Sequence, residues 1–370
     1  MYNNYCLTEI NFCDLNLLKN YIQNIEEKEN TVIVISKSAS ERFCLSDLVY
    51  KNKFIWINSF NSNPTEIDII NSLKIIASNN ISKIIAIGGG SAIDLAKAIS
   101  AFYDININTI YTRDDIVNKI LNKDYINTNI DIIAVPTTAG TGSEVTKWAT
   151  IWDSMNNKKY SIDAYYLQPK QAFICTDLTL TMPKKLILST ALDALSHAIE
   201  AFWAKSTNSL SKELSIRAVE LIVNNLPAAL ENPLYYECRE KLSIASLIAG
   251  ISFSKTKTTA CHSISYPLTS MYKIEHGFAV ALTLSELFEI NKYETKNINE
   301  LSQLFSTYGG IKNWLNSVCK NIVELRLSYF GVEKNDFENI VNNSFTIGRI
   351  DNNPVYLSRD ELFEILNRIY

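Results

Sequence analysis

Apolar residues change their spacing partway along this chain. In the first half, short runs rich in β-branched residues alternate with longer segments whose apolar positions recur at helical intervals. Residues 31–36 (TVIVIS), 53–57 (KFIWI), 83–87 (KIIAI) and 131–135 (DIIAV) are nearly unbroken apolar runs of strand length, the pattern of strands buried on both faces of a parallel sheet. Residues 63–77 and 91–102 carry the helical spacing and predict crossover helices between them. Together they predict a doubly wound α/β domain of nucleotide-binding type.

From Thr146 the pattern becomes strict alternation. TKWATIWD (146–153) and KKYSI (158–162), separated by a mostly polar turn at 154–157, predict a hairpin that presents Trp148 and Thr150 on one face. After AFIC (172–175) and the Met182-Pro183 step, strand signals nearly vanish and helical periodicity runs to the end. This places a domain boundary near residue 181, with an α/β domain over 1–181 and an all-helical domain over 182–370. The last helix is the plainest: Ser358-Arg359-Asp360-Glu361 is a capping box, followed by Leu362, Phe363, Ile365, Leu366 and Ile369 on one face.

The 370 residues fit two domains of ordinary size, and a 47% hydrophobic content suffices for two cores. A formal charge of −4 without a basic stripe argues against nucleic acid as a partner. No apolar run reaches the roughly 18 residues of a membrane span, and the start (MYNNYCLTEINFCDLN) lacks the basic and apolar regions of a signal peptide. Seven cysteines with no C-x-x-C pair read as reduced thiols, so the expectation is a soluble, cytoplasmic protein with no membrane partner.

Two loops offer ligand chemistry. Directly after KIIAI comes Gly88-Gly89-Gly90-Ser91, then a helix expected near Ala92 with Asp94 in its first turn. Glycines there let backbone approach a pyrophosphate, and the helix start supplies amide donors and a positive dipole end. A plain glycine-rich turn is the alternative, and the G-x-G-x-x-G spacing is not met. After DIIAV, the run 135–144 (VPTTAGTGSE) is small or hydroxyl-bearing from Thr137 to Ser143, which leaves room and donors for a ligand.

All three histidines lie in one stretch. Asp193 and His197, at i and i+4, share a helical face and can reach one ion. Alone they would read as a surface pair. His262 and His276 complete a set of one oxygen and three nitrogens suited to Zn²⁺ or Fe²⁺, with a position left for substrate or water. Pro267 is expected to end one helix, and another is expected to begin near His276.

These residues resemble the iron-containing (group III) alcohol dehydrogenase family. The resemblance is carried by GGGSAIDLAK (88–97), PTTAGTGSEVT (136–146), ALDALSHAIE (191–200) and the segment from His262 to His276, and it covers nearly the whole chain. It implies the dehydroquinate synthase-like fold, a Rossmann-like domain followed by an all-α metal-binding domain, in a homodimer that acts on a small aldehyde or alcohol. It places the metal ligands, Fe²⁺ or alternatively Zn²⁺, on Asp193, His197, His262 and His276. It places nicotinamide cofactor contacts on Asn63, Gly89, Gly90, Ser91, Thr137, Thr138, Thr146 and Lys159, to which the two loops add Asp94 and Thr141 as candidates.

Two departures stand out. Many members carry a further histidine where this chain has Tyr266, so a proton relay there would pass through a phenol. An acidic residue often follows the first strand to hold the adenosine ribose; here Ser36-Lys37-Ser38 would suit a 2′-phosphate, favouring NADP(H) over NAD(H). Within the family, 149–153, 158–162 and 255–284 look most like phosphonoacetaldehyde reductases, which make 2-hydroxyethylphosphonate. A phosphonate dianion needs cationic or amide donors. Lys255, seven residues before His262, would share its face on a continuous helix. Lys257 or Lys147 would serve a kinked geometry, although each lysine alone reads as solvated surface charge. Trp148, Thr150, Phe253, Lys255, Lys257 and Thr258 are the candidate substrate residues. The competing readings are a short-chain alcohol or polyol dehydrogenase of the same family, a dehydroquinate synthase-type lyase, and a non-catalytic metal-binding protein.

Overall fold

The computed structural model describes residues 6–26, 28–104, 111–155 and 158–370. It divides into two compact units, one of Met1–Thr138 with Ser143–Thr179 and one of Ala139–Gly142 with Leu180–Tyr370.

The first unit is built on a six-stranded parallel sheet of order β1-β8-β5-β4-β2-β3, from β1 (Glu9–Phe12), β2 (Thr31–Val34), β3 (Ile55–Ile57), β4 (Lys83–Gly88), β5 (Asp131–Pro136) and β8 (Gln171–Ile174). The four predicted strands are all present, and β1 is one that periodicity did not reveal. Alternation explains why their runs read as solid apolar blocks. Val32, Val34, Ile84, Ala86 and Ala134 face one core, while Ile33, Ile35, Ile85, Ile87, Ile133 and Val135 face another. The first core is covered by α4 (Glu66–Ile76), α5 (Gly90–Phe102) and α6 (Arg113–Asn122). The second is covered by α1 (Leu15–Gln23), α2 (Lys37–Arg42) and α3 (Ser46–Lys51).

The hairpin is β6 (Trp148–Trp152) paired antiparallel with β7 (Lys159–Asp163), and its turn at 156–157 lies outside the described residues. Ala149 and Ile151 are buried, so Trp148, Thr150 and Trp152 occupy the other face as expected, with Lys159 directly opposite Trp152. Two boundaries differ from the sequence reading. β2 stops at Val34, and Ser36 instead caps α2 by accepting from Ala39 N. α5 begins at Gly90 rather than Ala92, because glycine at the N-cap lets the helix start immediately after β4; Asp94 therefore sits one turn in, not in the first turn.

The second unit is helical: α7 (Lys184–Trp203), α8 (Ser209–Glu231), α9 (Tyr236–Thr256), α10 (Ala260–Tyr272), α11 (His276–Asn291), α12 (Ile298–Leu304), α13 (Ile311–Cys319), α14 (Phe337–Asn343) and α15 (Arg359–Arg368). α7 is its axis, buried continuously from Ala191 to Trp203 and packed on α8, α9 and α11. A helix enclosed on every side must satisfy any polar side chain it carries. The α15 capping box forms as read, with Leu362, Ile365 and Leu366 buried, whereas Phe363 is exposed.

Pro267 does not end a helix. It lies inside α10, and the breaks fall on either side, at Lys257 to Thr259 and at Lys273 to Glu275, where Lys257 and Lys273 adopt positive φ. α9 and α10 are therefore separate helices, and Lys255 does not share a continuous face with His262. Among the described residues no helix is long and apolar enough to cross a membrane, and all seven cysteines are free thiols.

Candidate metal centre and cofactor-binding residues

Three helices of the second unit deliver the metal-site side chains. α7 carries Asp193 and His197 one turn apart, α10 carries His262 near its start, and His276 is the first residue of α11. Asp193 Oδ1 lies 3.5 Å from His262 Nε2, 3.7 Å from His197 Nε2 and 3.8 Å from His276 Nε2. One ligand atom from each of Asp193, His262 and His276 lies within 4.8 Å of the others. His197 reaches the group through Asp193 and stacks on His262 with ring centroids 4.5 Å apart.

The approach of these helices depends on two glycines. Gly277, next to His276, passes so close to α7 that a Cβ would fall 1.8 Å from the Ser189 carbonyl oxygen. Gly142 combines φ +61° with a Cβ position 2.5 Å from Gly250 Cα. Two residues before it, the Gly140 carbonyl accepts from His197 Nδ1 at 3.3 Å. That bond leaves His197 Nε2 to face Asp193, and Phe253 lies flat on the same imidazole, 4.1 Å between centroids and 6° from parallel.

Burial alone would suppress ionisation of Asp193, but the imidazoles of His197, His262 and His276 outweigh it and hold the carboxyl below the usual carboxylate range. Burial lowers His197 to about 4, against the pull of Asp193. Burial also opposes charge on His262, yet Glu200 and Asp193 raise it to about 9. Asp193 Oδ1 and His262 Nε2 are buried and make no hydrogen bond. A buried carboxylate oxygen ringed by imidazole Nε2 atoms, with no hydrogen bond satisfying it, is the donor arrangement of a divalent-cation site. The donor set fits Fe²⁺ or Zn²⁺.

Sequence reasoning missed Glu200. It lies on the face of α7 that carries Asp193 and His197, fully buried, with Oε2 against His262 Nδ1 and Oε1 accepting from Thr259 and Cys261. The signal was a third acidic or imidazole residue at helical spacing in ALDALSHAIE. Tyr266 is half-buried one turn beyond His262, its ring 6.4 Å from that of His276.

In the first unit, the N-cap of α5 is Gly89, which has no side chain to bond the leading amides of the helix. Gly89 and Gly90 form this start; Ser91 donates to the Ser62 carbonyl, tying the exposed loop of Asn63 to it. Thr137 and Thr138 are half-buried beyond β5. Asp94 accepts from Ser143 Oγ at 2.6 Å and Thr150 N at 2.9 Å, so its carboxylate is spent on the protein, and burial raises it above its usual value despite Lys97.

Lys97, also given no role from sequence, is fully buried. It donates to Ser143 O (2.7 Å), Ser143 Oγ (3.0 Å), Trp148 O (2.9 Å) and Thr146 Oγ1 (3.3 Å), and burial lowers it to about 8. It thereby fixes Thr146, which is buried rather than open to a ligand, to the start of the hairpin. Lys159 is half-buried on β7 and acts electrostatically on Asp94, Lys37 is exposed, and Ser36 Oγ is engaged in capping.

Among the substrate candidates, Trp148 and Thr150 lie on β6 of the first unit. Phe253 and Thr258 are buried in the second unit, while Lys255 and Lys257 are exposed at the α9–α10 break. Thr141 belongs with the second unit rather than with the other loop threonines. Lys147 is paired with Asp163 at 2.8 Å, which explains its position without a substrate.

Comparison with known proteins agrees with this geometry. Residues 11–176 match the family described as iron-containing alcohol dehydrogenase, and residues 187–370 match its C-terminal family. The chain is 31% identical over 301 residues to an NADPH-dependent butanol dehydrogenase of Clostridium saccharobutylicum, covering 78% of this chain and 76% of that one. It is 29% identical to an aldehyde-alcohol dehydrogenase of Streptococcus pneumoniae serotype 4 over 73% of its length, spanning only 32% of that longer protein. Among solved structures it resembles sulfoacetaldehyde reductase from Bifidobacterium kashiwanohense in complex with NAD⁺. The TM-score is 0.86 at 26% identity, over 100% of this chain and 98% of that one.

Proposed function

The chain belongs to the iron-containing alcohol dehydrogenase family, and from that premise we propose that it reduces phosphonoacetaldehyde to 2-hydroxyethylphosphonate with NADPH. Its general activity is that of the family, metal-dependent, NAD(P)-linked interconversion of an alcohol and an aldehyde. The substrate reading is carried by the full-length likeness to sulfoacetaldehyde reductase. The substrate in that name is, like phosphonoacetaldehyde, a two-carbon aldehyde with a tetrahedral anion on its second carbon. The resemblance of 255–284 to phosphonoacetaldehyde reductases supports it further. Lys255, Lys257 and Thr258 supply cationic and hydroxyl donors of the kind such an anion needs.

In this reading residues 1–181 bind the cofactor and 182–370 the metal and substrate, in a cytoplasmic homodimer. Lys37 and Ser36 beyond β2 receive the 2′-phosphate. The α5 start, with Gly89, Gly90 and Ser91, takes the pyrophosphate, and Asn63, Thr137, Thr138 and Lys159 complete the cofactor contacts in the first unit, whereas the buried Thr146 positions the hairpin instead. Asp193, His197, His262 and His276 would hold Fe²⁺, or Zn²⁺ in its place.

When bound, the cation supplies Lewis-acid polarisation of a carbonyl and the reduced nicotinamide supplies a hydride. Asp193 contributes the negative charge of the ligand set, kept ionised by the surrounding imidazoles. Phe253 covers His197 and excludes water from that face of the ring. In this reading Tyr266, whose ring lies beside that of His276, passes a proton to the product oxygen.

The test is oxidation of NADPH and of NADH by purified protein with phosphonoacetaldehyde, sulfoacetaldehyde and butanal. The highest kcat/KM is expected for phosphonoacetaldehyde with NADPH. The likeness to a butanol dehydrogenase favours a second reading, a short-chain alcohol dehydrogenase, and comparable turnover of butanal would establish that reading instead. Preference for sulfoacetaldehyde would move the assignment to sulfonates. Turnover with no net change in reduced nicotinamide would indicate a lyase.

A further inference from the structure

Glu200 presents two differently engaged oxygens to the start of α10. Oε1 accepts from Thr259 Oγ1 at 2.7 Å, Cys261 N at 2.8 Å, Thr259 N at 3.1 Å and His262 N at 3.3 Å. Oε2 faces His262 Nδ1. The direction of these bonds is fixed from outside. Trp203 Nε1 can only donate, and it donates to Thr259 Oγ1 at 2.8 Å, so the threonine turns its own proton to Glu200. Every group around Oε1 is then a donor, and that oxygen must remain an acceptor.

We infer that Glu200 is a positioning residue for the metal, acting through His262. It holds the imidazole with its proton on Nδ1 and its Nε2 lone pair toward Asp193. The inference rests on the metal reading above. A helix cap alone does not account for the arrangement. Thr259 stands at the N-cap of α10 and could cap it locally, yet it makes no such bond and yields its hydroxyl to Glu200. Capping, moreover, needs only one oxygen, whereas the second is directed at the ligand imidazole. A carboxylate behind a metal-binding histidine fixes the tautomer and makes the imidazole a better donor.

The substitution that separates these roles is Glu200→Gln. The four donors around Oε1 require the amide oxygen there, so capping survives. The amide NH₂ must then face His262 Nδ1, which forces that nitrogen to accept and moves the ring proton to Nε2, where it blocks the metal. Zn²⁺ affinity is measured on metal-stripped, full-length wild type and E200Q by competition with a chromogenic chelator, with thermal midpoints of both taken without metal.

The expected result is roughly 10–100-fold weaker Zn²⁺ binding by E200Q, a loss larger than any fall in its metal-free midpoint accounts for. Equal affinities would overturn the inference, as would a loss of affinity matched by a large loss of metal-free stability, which marks a structural role alone. If the wild type itself fails to bind Zn²⁺, the metal reading falls rather than the role of Glu200. If E200Q does not fold, histidine side-chain ¹H–¹⁵N spectra of zinc-loaded wild type decide. A proton on His262 Nδ1 supports the inference, and one on Nε2 overturns it.

Discussion

Replacing Gly277 by alanine probes how the metal centre is assembled. Gly277 adjoins His276 in the first turn of α11, and an added Cβ would lie 1.8 Å from the Ser189 carbonyl oxygen, 2.6 Å from its carbon and 3.0 Å from Ser189 Oγ. The oxygen and carbon belong to the backbone of α7, which cannot rotate aside, so α11 must retreat by about 1 Å, roughly twice the 0.5 Å that a preorganised site tolerates. Overpacking of this kind costs about 1–3 kcal/mol. In a domain of this size that corresponds to a thermal midpoint lowered by on the order of 2–12 °C. Ser189 is also one turn before Asp193, so the displacement separates His276 from its carboxylate partner, and Zn²⁺ affinity should fall by about tenfold or more. Scanning calorimetry of the metal-free protein and chelator competition measure the two effects. A variant that melts like wild type and binds Zn²⁺ equally well would refute the claim that this close approach sets the ligand geometry.

Other substitutions test neighbouring parts of the account. Zn²⁺ at a hundred times its dissociation constant should stabilise the wild type by about 2.7 kcal/mol; His262→Ala should abolish that increment in calorimetry, and its persistence would show that the metal binds elsewhere. Phe253→Ala removes a buried ring stacked on His197 and should cost about 3–5 kcal/mol in urea unfolding, with a loss under 1 kcal/mol counting against the packing described. Lys97 titrates near 8 in the folded protein and near its ordinary 10.5 when unfolded. Between those values the unfolded chain binds the extra proton, so wild-type stability should rise with pH from about 8 to 10.5 relative to Lys97→Met, by on the order of 1 kcal/mol per unit. Parallel pH profiles for the two proteins would contradict the buried, partly deprotonated lysine.

The parts legible in sequence were those in which local pattern and tertiary environment agree. The central strands of the sheet are buried on both faces and so read as unbroken apolar runs, while the α15 capping box needs nothing beyond its own four residues. β1 escaped notice because its four residues, EINF, are only partly buried at the sheet edge and carry no such run. Pro267 misled because a proline inside a helix is usually disruptive, yet α10 accommodates it; the breaks at Lys257 and Lys273 carry no glycine to announce them. At the candidate metal centre, the i, i+4 spacing of Asp193 and His197 and the rarity of histidine pointed to side chains that the fold brings together. Glu200 and Lys97 stood in the quoted motifs without a role, because what each does depends on partners 59 to 62 and 46 to 51 residues away in sequence. Spacing reveals what shares a helix face; it does not reveal which buried donors will surround it.

The central claim is that Asp193, His197, His262 and His276 hold a divalent cation on which aldehyde reduction depends. Its most direct test is to strip the protein of metal, verify its fold by circular dichroism, and follow NADPH oxidation by phosphonoacetaldehyde while Fe²⁺ is added back in substoichiometric steps under anaerobic conditions. The account predicts negligible turnover without metal and a linear recovery that saturates at one equivalent per chain. Full activity in the metal-free protein would contradict it.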